Sequence, residues 1–267
     1  MLDKIKVLVR GGGDLASGVV YRLHRSGMRV MVVELPQPLV IRRAVSFASA
    51  IFEGSVEVEG VPARHADSLE HALQILDLGE IPVLVDPQAE VALQWHPDVL
   101  VDAILAKRNI GTRITDAPIV VGLGPGFVAG VDVHAVVETK RGHYLGRVIL
   151  EGSAAPDTGI PGEVMGYTRE RVLRAPTSGT LRALKTIGDS LEAGEAAAQV
   201  DGQPVIAHIG GVIRGLLADG LAVSGGMKVG DVDPRGVRDH CFTISDKALA
   251  IGGGVLEAIL YVRRGGD

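Results

Sequence analysis

Residues 175–201 and 207–233 align without a gap at an offset of 32. Ala175 matches Ala207, Gly179 matches Gly211, Arg182 matches Arg214 and Leu184 matches Leu216. Gly188 matches Gly220, Gly194 matches Gly226, and Val200-Asp201 matches Val232-Asp233. The eight identities in 27 positions keep every turn glycine in phase. A unit this short cannot bury an apolar face alone, so two copies predict a pseudo-twofold β structure.

Each copy resembles the half-motif of a barrel-sandwich hybrid, the biotinyl/lipoyl-carrier fold. A carrier presents a modifiable lysine on the hairpin between its halves. Here that hairpin is Val200-Asp201-Gly202-Gln203-Pro204-Val205, with no lysine, and Asp201-Gly202 is ordinary turn chemistry. The covalent-carrier reading is rejected.

Upstream the pattern is α/β. An apolar run, Ile5 to Val9, ends in Arg10-Gly11-Gly12-Gly13-Asp14. Leu15, Val19, Val20 and Leu23 follow at helical spacing, and Val30 to Val33 forms a second run closed by Glu34. Strand, glycine loop, helix, strand opens a parallel sheet, and unbroken apolar strands suit a sheet covered on both faces. Short segments follow: a helix over Arg42 to Phe52, a hairpin over Ser55 to Ala63 and a helix over Ser68 to Leu76. Further strands are expected at Ile81 to Val85, Val99 to Ile104, Pro118 to Val121, Val133 to Thr139 and Tyr144 to Leu150.

The expected organisation is a Rossmann-like domain over 1–120, a β-rich connection over 121–170 and a barrel-sandwich hybrid over 171–235. The apolar tail over 236–267, interrupted by Gly252 to Gly254, is expected to return as a helix and dock on the first domain.

Composition narrows function. The chain has 267 residues, enough for one large domain or two modest ones, and 46% of them are hydrophobic. Net charge is −5 and aromatics are 3%, which argues against nucleic acid, since its binders carry basic excess or stacking platforms. The 36 glycines point to tight turns and close backbone approaches. A single cysteine, Cys241, excludes an internal disulfide, and no His/Cys/carboxylate set has zinc spacing, so no metal is expected. The longest uncharged apolar stretch, Ala117 to Val131, is broken by prolines and glycines and is too short to span a bilayer. With no signal-peptide pattern at the start, the expectation is a cytoplasmic protein.

Three constellations could carry chemistry. Gly11-Gly12-Gly13-Asp14-Leu15-Ala16-Ser17-Gly18 contains G-x-G-x-x-A between a strand and a helix, and Glu34 closes the next strand, where a ribose hydroxyl would be read. The exposed amides and positive helix end favour phosphate. Asp14 would repel phosphate or cap the helix, and the alternative is a ligand-free turn. Gly122, Gly124 and Gly126 after a strand could form an anion-binding nest or a plain crossing turn. In Glu138-Thr139-Lys140-Arg141-Gly142-His143 with Arg147, the arginines could hold phosphate and His143 could act as acid or base; an exposed charged turn is the alternative. Asp86, Asp102 and Asp116 stand at strand ends, and Lys107 and Arg108 follow Asp102. His96, His134 and His208 read as structural, and Cys241 as a buried small hydrophobe.

Together the ordered segments resemble a known family. They are Arg10 to Gly18, Val101-Asp102-Ala103, Lys107 to Thr112, Thr115 to Pro118, Gly122 to Gly130, Val137 to His143 and Gly159-Ile160-Pro161-Gly162. They resemble the YqeB-type selenium-dependent molybdenum hydroxylase accessory proteins, relatives of the XdhC-type maturation factors. The resemblance implies binding of a molybdopterin (cytosine dinucleotide) or other pterin–nucleotide cofactor, for insertion or modification in a partner molybdenum hydroxylase apoenzyme. It implies a nucleotide-binding domain whose Gly11, Gly12, Gly13, Asp14, Ser17, Glu34, Gly122, Gly124, Gly126, Arg141 and Arg147 face the cofactor. A sulfur- or selenium-transfer role would rest on Cys241, with His143 and Asp102 the other catalytic candidates. An NAD(P)-dependent oxidoreductase and a non-catalytic interaction scaffold stay open beside it, as does assembly into a homo-oligomer.

Overall fold

The computed structural model describes residues 2–159 and 161–265. In chain order the first elements are β1 (Lys6–Arg10), α1 (Asp14–Arg25), β2 (Arg29–Glu34), α2 (Ala50–Glu53), β3 (Ser55–Val58) and β4 (Val61–Ala66). Then come α3 (Leu69–Asp77), β5 (Ile81–Val85), α4 (Ala92–Trp95), β6 (Val99–Asp102), β7 (Ile119–Leu123), β8 (Ala135–Val137) and β9 (Val148–Ile149). The chain continues through β10 (Val172–Arg174), β11 (Gly179–Ala183), β12 (Ser190–Leu191), β13 (Ala196–Val200) and β14 (Gln203–Ile206). It ends with β15 (Gly211–Leu216), β16 (Ala222–Val223), β17 (Lys228–Asp233), α5 (Asp239–Phe242) and α6 (Asp246–Arg263). The architecture is mixed α/β, in two compact units.

Unit 1 comprises Met1–Pro38, Phe47–Thr158 and Ile244–Asp267. Its nine-stranded sheet runs β3-β4-β5-β2-β1-β6-β7-β8-β9. The strands from β4 to β8 pair in parallel, and antiparallel β3 and β9 close the edges. The central strands are unbroken apolar runs because helices cover both faces. Leu8, Leu100, Val120 and Val136 pack with Ile75 and Leu76 of α3 and Trp95 of α4. On the other face lie α1 and α6, with α6 against β7 and β8.

Glycine decides the α1–α6 contact. A Cβ on Gly18 would collide with the carbonyl oxygen of Ala248, and one on Gly252 would lie 2.5 Å from that of Gly18. A Cβ on Gly254 would strike the carbonyl of Gly146. Gly253 points into open space. The run Gly252 to Gly254 therefore does not interrupt the helix, which is continuous from Asp246 to Arg263.

The division of the chain differs from the sequence expectation. Residue 120 lies inside β7, in the middle of the large sheet, because Val133 to Thr139 supplies a further parallel strand rather than a connection. Tyr144 to Leu150 is mostly turn, with Gly142 and Gly146 at φ of 133° and 78°, and only Val148–Ile149 pair as strand. Arg42 to Phe52 breaks into two 3-10 turns and the four-residue α2.

Unit 2 comprises Leu39–Ser46 and Gly159–Thr243. It contains two four-stranded sheets, β10-β17-β15-β12 and β14-β13-β11-β16. Moving each element by the 32-residue offset carries one sheet order onto the other. The backbone bonds repeat as well: Gly194 N to Ala207 O mirrors Gly226 N to Ala175 O. Gly179 and Gly211, first residues of β11 and β15, have φ of 153° and 152°. The β13–β14 hairpin turns on Asp201 and Gly202, both at positive φ, which is the turn that matches strand twist. One buried core fills the space between the sheets, with Leu173, Leu181, Leu191, Ile213 and Leu216 among its members.

The α6 glycines give a clean contrast. Gly253→Ala is expected to stabilise the chain by about 0.5–1 kcal/mol through helix propensity. Gly252→Ala and Gly254→Ala are expected to cost about 1–3 kcal/mol through overpacking. Urea denaturation of the three variants checks both signs, and equal effects at all three positions would refute the close-approach account.

Candidate functional site

The carboxyl ends of the parallel strands carry the loops where open α/β sheets bind ligands. β1 ends at Arg10 and β6 at Asp102, paired in register, and both side chains are buried. Asp102 Oδ2 accepts the Thr112 hydroxyl at 2.6 Å, and Arg10 Nη1 donates to the same hydroxyl oxygen at 2.6 Å. Arg10 and Asp102 themselves stand 3.6 Å apart, and Asp102 Oδ1 accepts the Ile104 amide at 3.1 Å. Asn109 ties the far end, accepting the Gly111 and Thr112 amides and donating to the Thr112 carbonyl. Both Asp102 oxygens are thus engaged, which makes it a positioning residue for the 103–112 loop. That loop holds Leu105 and Lys107 at φ of 59° and 63°, a strained conformation for side chains with a Cβ.

The first glycine loop is fastened from several sides. Gly11, at φ 92°, donates to Val33 O, and Ala48 N donates to Gly12 O at 2.9 Å. A Cβ on Gly12 would lie 2.8 Å from the Ala48 nitrogen. Ser17, fully buried, donates to Gly12 O and accepts from Phe47 N. Glu34 accepts the Gly12 amide at 2.7 Å and the Leu35 amide at 2.8 Å. Its carboxylate serves the loop, so a ribose or phosphate at Gly12 would have to displace it. Gly13 is the N-cap of α1 and makes no side-chain cap bond; Asp14 lies in the first turn, where a negative charge favours the helix dipole.

The second glycine loop is packed, not open. A Cβ on Gly122 would sit 2.6 Å from the Phe127 ring, one on Gly124 would sit 2.5 Å from Thr139 Oγ1, and one on Gly126 would sit 2.6 Å from the Arg108 backbone. The Gly124 amide donates to Val137 O. These glycines let neighbouring chain approach closely.

The third constellation splits. Glu138 is buried and accepts the Lys140 and Ala155 amides at 2.7 and 2.8 Å. Arg141 forms a bidentate pair with Asp246 of α6, at 2.8 and 2.9 Å. His143 lies edge-on to Tyr144 at 5.0 Å, and Arg147 covers the same ring at 4.8 Å, an exposed stack. His134 accepts the Val120 amide at 3.0 Å, and burial lowers its pKa, so it is a neutral structural histidine. Asp86 accepts the Glu90 and Val91 amides, and Asp116 the Arg113 amide. Cys241 belongs to unit 2, is fully buried and donates to Ile213 O at 3.5 Å. Burial raises its thiol pKa, the opposite of an activated nucleophile. Ile160 of the Gly159–Gly162 motif lies outside the described residues. Among the described residues, no group of three His, Cys, Asp or Glu side chains could hold a metal ion.

One residue was missed from the sequence. Lys247, second in α6, is half-buried, and the charges of Arg141, Asp14, Glu138 and Asp157 act on it. Burial and then the Arg141 charge lower its pKa. Asp157 in turn receives Lys107 Nζ at 2.6 Å. The charges that act on Lys247 come from the first turn of α1, the turn after β8 and the 155–157 segment. The available signal was the single lysine in the first turn of a mainly apolar helix.

No family model matches the chain. It is 49% identical over 260 residues to the uncharacterized protein YqeB of Escherichia coli (strain K12), which takes in 97% of this chain and 48% of that protein. The chain therefore spans about half the length of the curated relative it matches. Among solved structures, the product-bound ectoine utilization protein EutE (DoeB) from Ruegeria pomeroyi is 11% identical, covering 85% of this chain and 56% of that one at a TM-score of 0.23. A succinylglutamate desuccinylase/aspartoacylase from Rhodobacter sphaeroides is 14% identical, covering 85% and 84% at 0.24. Likeness that weak carries no argument about fold or chemistry. Among the described residues, no helix is long and apolar enough to cross a membrane.

The lowered pKa of Lys247 has a pH signature. The folded form releases its proton below the ordinary lysine value near about 10.4. Across that window the unfolded chain binds more protons, so the lysine's penalty on folding is relieved as pH rises. Lys247→Met is expected to be more stable than the parent at pH 7, with the difference shrinking towards pH 10.5. Urea unfolding of both chains along that pH series checks it; a difference independent of pH would refute it.

Proposed function

We propose that unit 1 is a Rossmann-like cofactor-binding domain and that the chain holds a molybdopterin-type or nucleotide cofactor for a partner molybdenum hydroxylase. The observation that carries the binding part is Lys247, half-buried next to the Arg141–Asp246 pair on the first turn of α6, with the charges of Asp14, Glu138 and Asp157 acting on it. A lysine so placed supplies a movable donor and a positive charge to a phosphate or an enolic oxygen, while the strapped glycine loops keep the site rigid. The molybdenum part rests on the ordered motifs from Arg10 to Gly162.

Unit 2 fits a barrel-sandwich hybrid, supported by the exchange of its two sheets under the repeat. Without a carrier lysine on the β13–β14 turn, it offers a surface to the partner apoenzyme in the cytoplasm. A nicotinamide oxidoreductase is the weaker alternative, because Glu34 is engaged with the Gly12 and Leu35 amides and His143 stacks on Tyr144.

Thermal melts with cytidine nucleotides, NAD, NADH, NADP and S-adenosylmethionine test the reading. Cytidine nucleotides are expected to stabilise the parent, by about 2.7 kcal/mol at a hundredfold excess over Kd, and to leave Lys247→Met unmoved. Stabilisation by NADH alone would favour the oxidoreductase, and an equal response of the two chains would remove Lys247 from the site.

A further inference from the structure

The internal repeat gives each residue of 175–201 a counterpart in 207–233, and one equivalent pair differs in its charge environment. Arg182 and Arg214 are equivalent across the 32-residue offset. Arg182 is exposed and lies 3.4 Å from Asp219, which also accepts the Ala183 amide. The residue equivalent to Asp219 in the other copy is Ile187. Arg214 has thus lost the carboxylate that its counterpart keeps.

Its surroundings supply only a shared one. The side chain of Arg214 is only 12% exposed, and its Nε is buried without a hydrogen-bond partner among the described residues. The nearest carboxylate, Asp233, stands 3.7 Å away and is already held in the Arg235 fork at 2.9 and 2.6 Å. Asp231, the other acid acting on Arg214, is bound by Arg171 at 2.6 Å. Arg42, which donates to the His240 and Thr243 carbonyls at 2.9 Å each, adds a like charge beside it. Asp231 and Asp233 are shared by Arg171, Arg214 and Arg235, and burying a guanidinium where the acids are so divided is unfavourable unless something else supplies negative charge. The planar fork of arginine matches oxyanions bidentately.

We infer that Arg214, flanked by Arg42 and Arg235, forms an oxyanion site on unit 2 that takes a phosphate group, free or as a monoester. Ile187 keeps the site selective by withholding the intramolecular carboxylate found in the other copy.

The full chain is melted in inorganic phosphate and, separately, in phenyl phosphate, against chloride at equal ionic strength. Phosphate is expected to raise the Tm of the parent and of Arg182→Met by several degrees more than chloride does. Ile187→Asp, which sets a carboxylate at the position equivalent to Asp219 and removes a side chain packed on the unit 2 core, is expected to abolish the phosphate response. Arg214→Met is expected to abolish the response as well; if it fails to fold, Ile187→Asp decides. A response to either anion supports the site, and the larger one identifies the form bound. No excess over chloride in the parent, or an undiminished response in Ile187→Asp, overturns the site. A response lost in Lys247→Met and kept in Ile187→Asp also overturns it, by assigning the phosphate to unit 1.

Discussion

The close backbone approach of α6 is the constraint on which the arrangement of unit 1 depends. Gly252 meets the Gly18 carbonyl of α1, and Gly254 meets that of Gly146 after β8. Any side chain at these points would push α6 outward. Arg141 pairs with Asp246 on the first turn of the same helix, and Ser245 caps it by accepting the Ala248 amide. Glycine contact, ion pair and cap together fix the helix start, and so fix where Lys247 stands. A residue near the end of the chain is thereby placed with loops that the first half of the chain supplies.

The loops themselves are rigid for a physical reason that a motif does not convey. A glycine-rich turn is usually valued for the amides it exposes. Here the Gly12 and Gly124 amides are already satisfied, by Glu34 and by the Val137 carbonyl. The glycines are needed because neighbouring backbone, the Phe127 ring or Thr139 occupies the space a Cβ would take. Buried polar groups that lack water must find partners within the protein, and these loops do so internally. The polar groups these loops leave at this edge are side chains, Arg141 and Lys107 exposed and Lys247 half-buried, rather than bare amides.

Much of the fold was legible. Unbroken runs such as Ile5 to Val9 and Val99 to Asp102 became central parallel strands, because sheets covered on both faces leave no polar alternation. The repeat offset carried one small sheet onto the other strand by strand, because turn glycines in phase fix where each strand begins. The unit boundary near 120 was not legible, since a strand that joins a sheet and one that leaves it share the same apolar pattern. Nor was the role of Glu34, whose carboxylate occupies its expected place at the end of β2 but faces the loop amides. Lys247 escaped notice because its environment is assembled from four segments distant in sequence, and no spacing rule joins them.

Duplication makes symmetry-breaking informative in unit 2. Both copies keep the glycine that begins the first strand, with φ near 153° and 152°, and both keep the aspartate that ends the last. Those positions are held by geometry: a Cβ on Gly179 would meet Asp201, and one on Gly211 would meet Asp233. Folding accounts for them in both copies. It does not account for an arginine at 214 where the position equivalent to Asp219 is Ile187. An exposed arginine such as Arg182 costs little whether paired or not. A buried one costs far more when its counterion, Asp233, is shared with Arg235, so an apolar residue at 214 would serve stability better. Retaining the charge in the buried copy is what a bound anion would require.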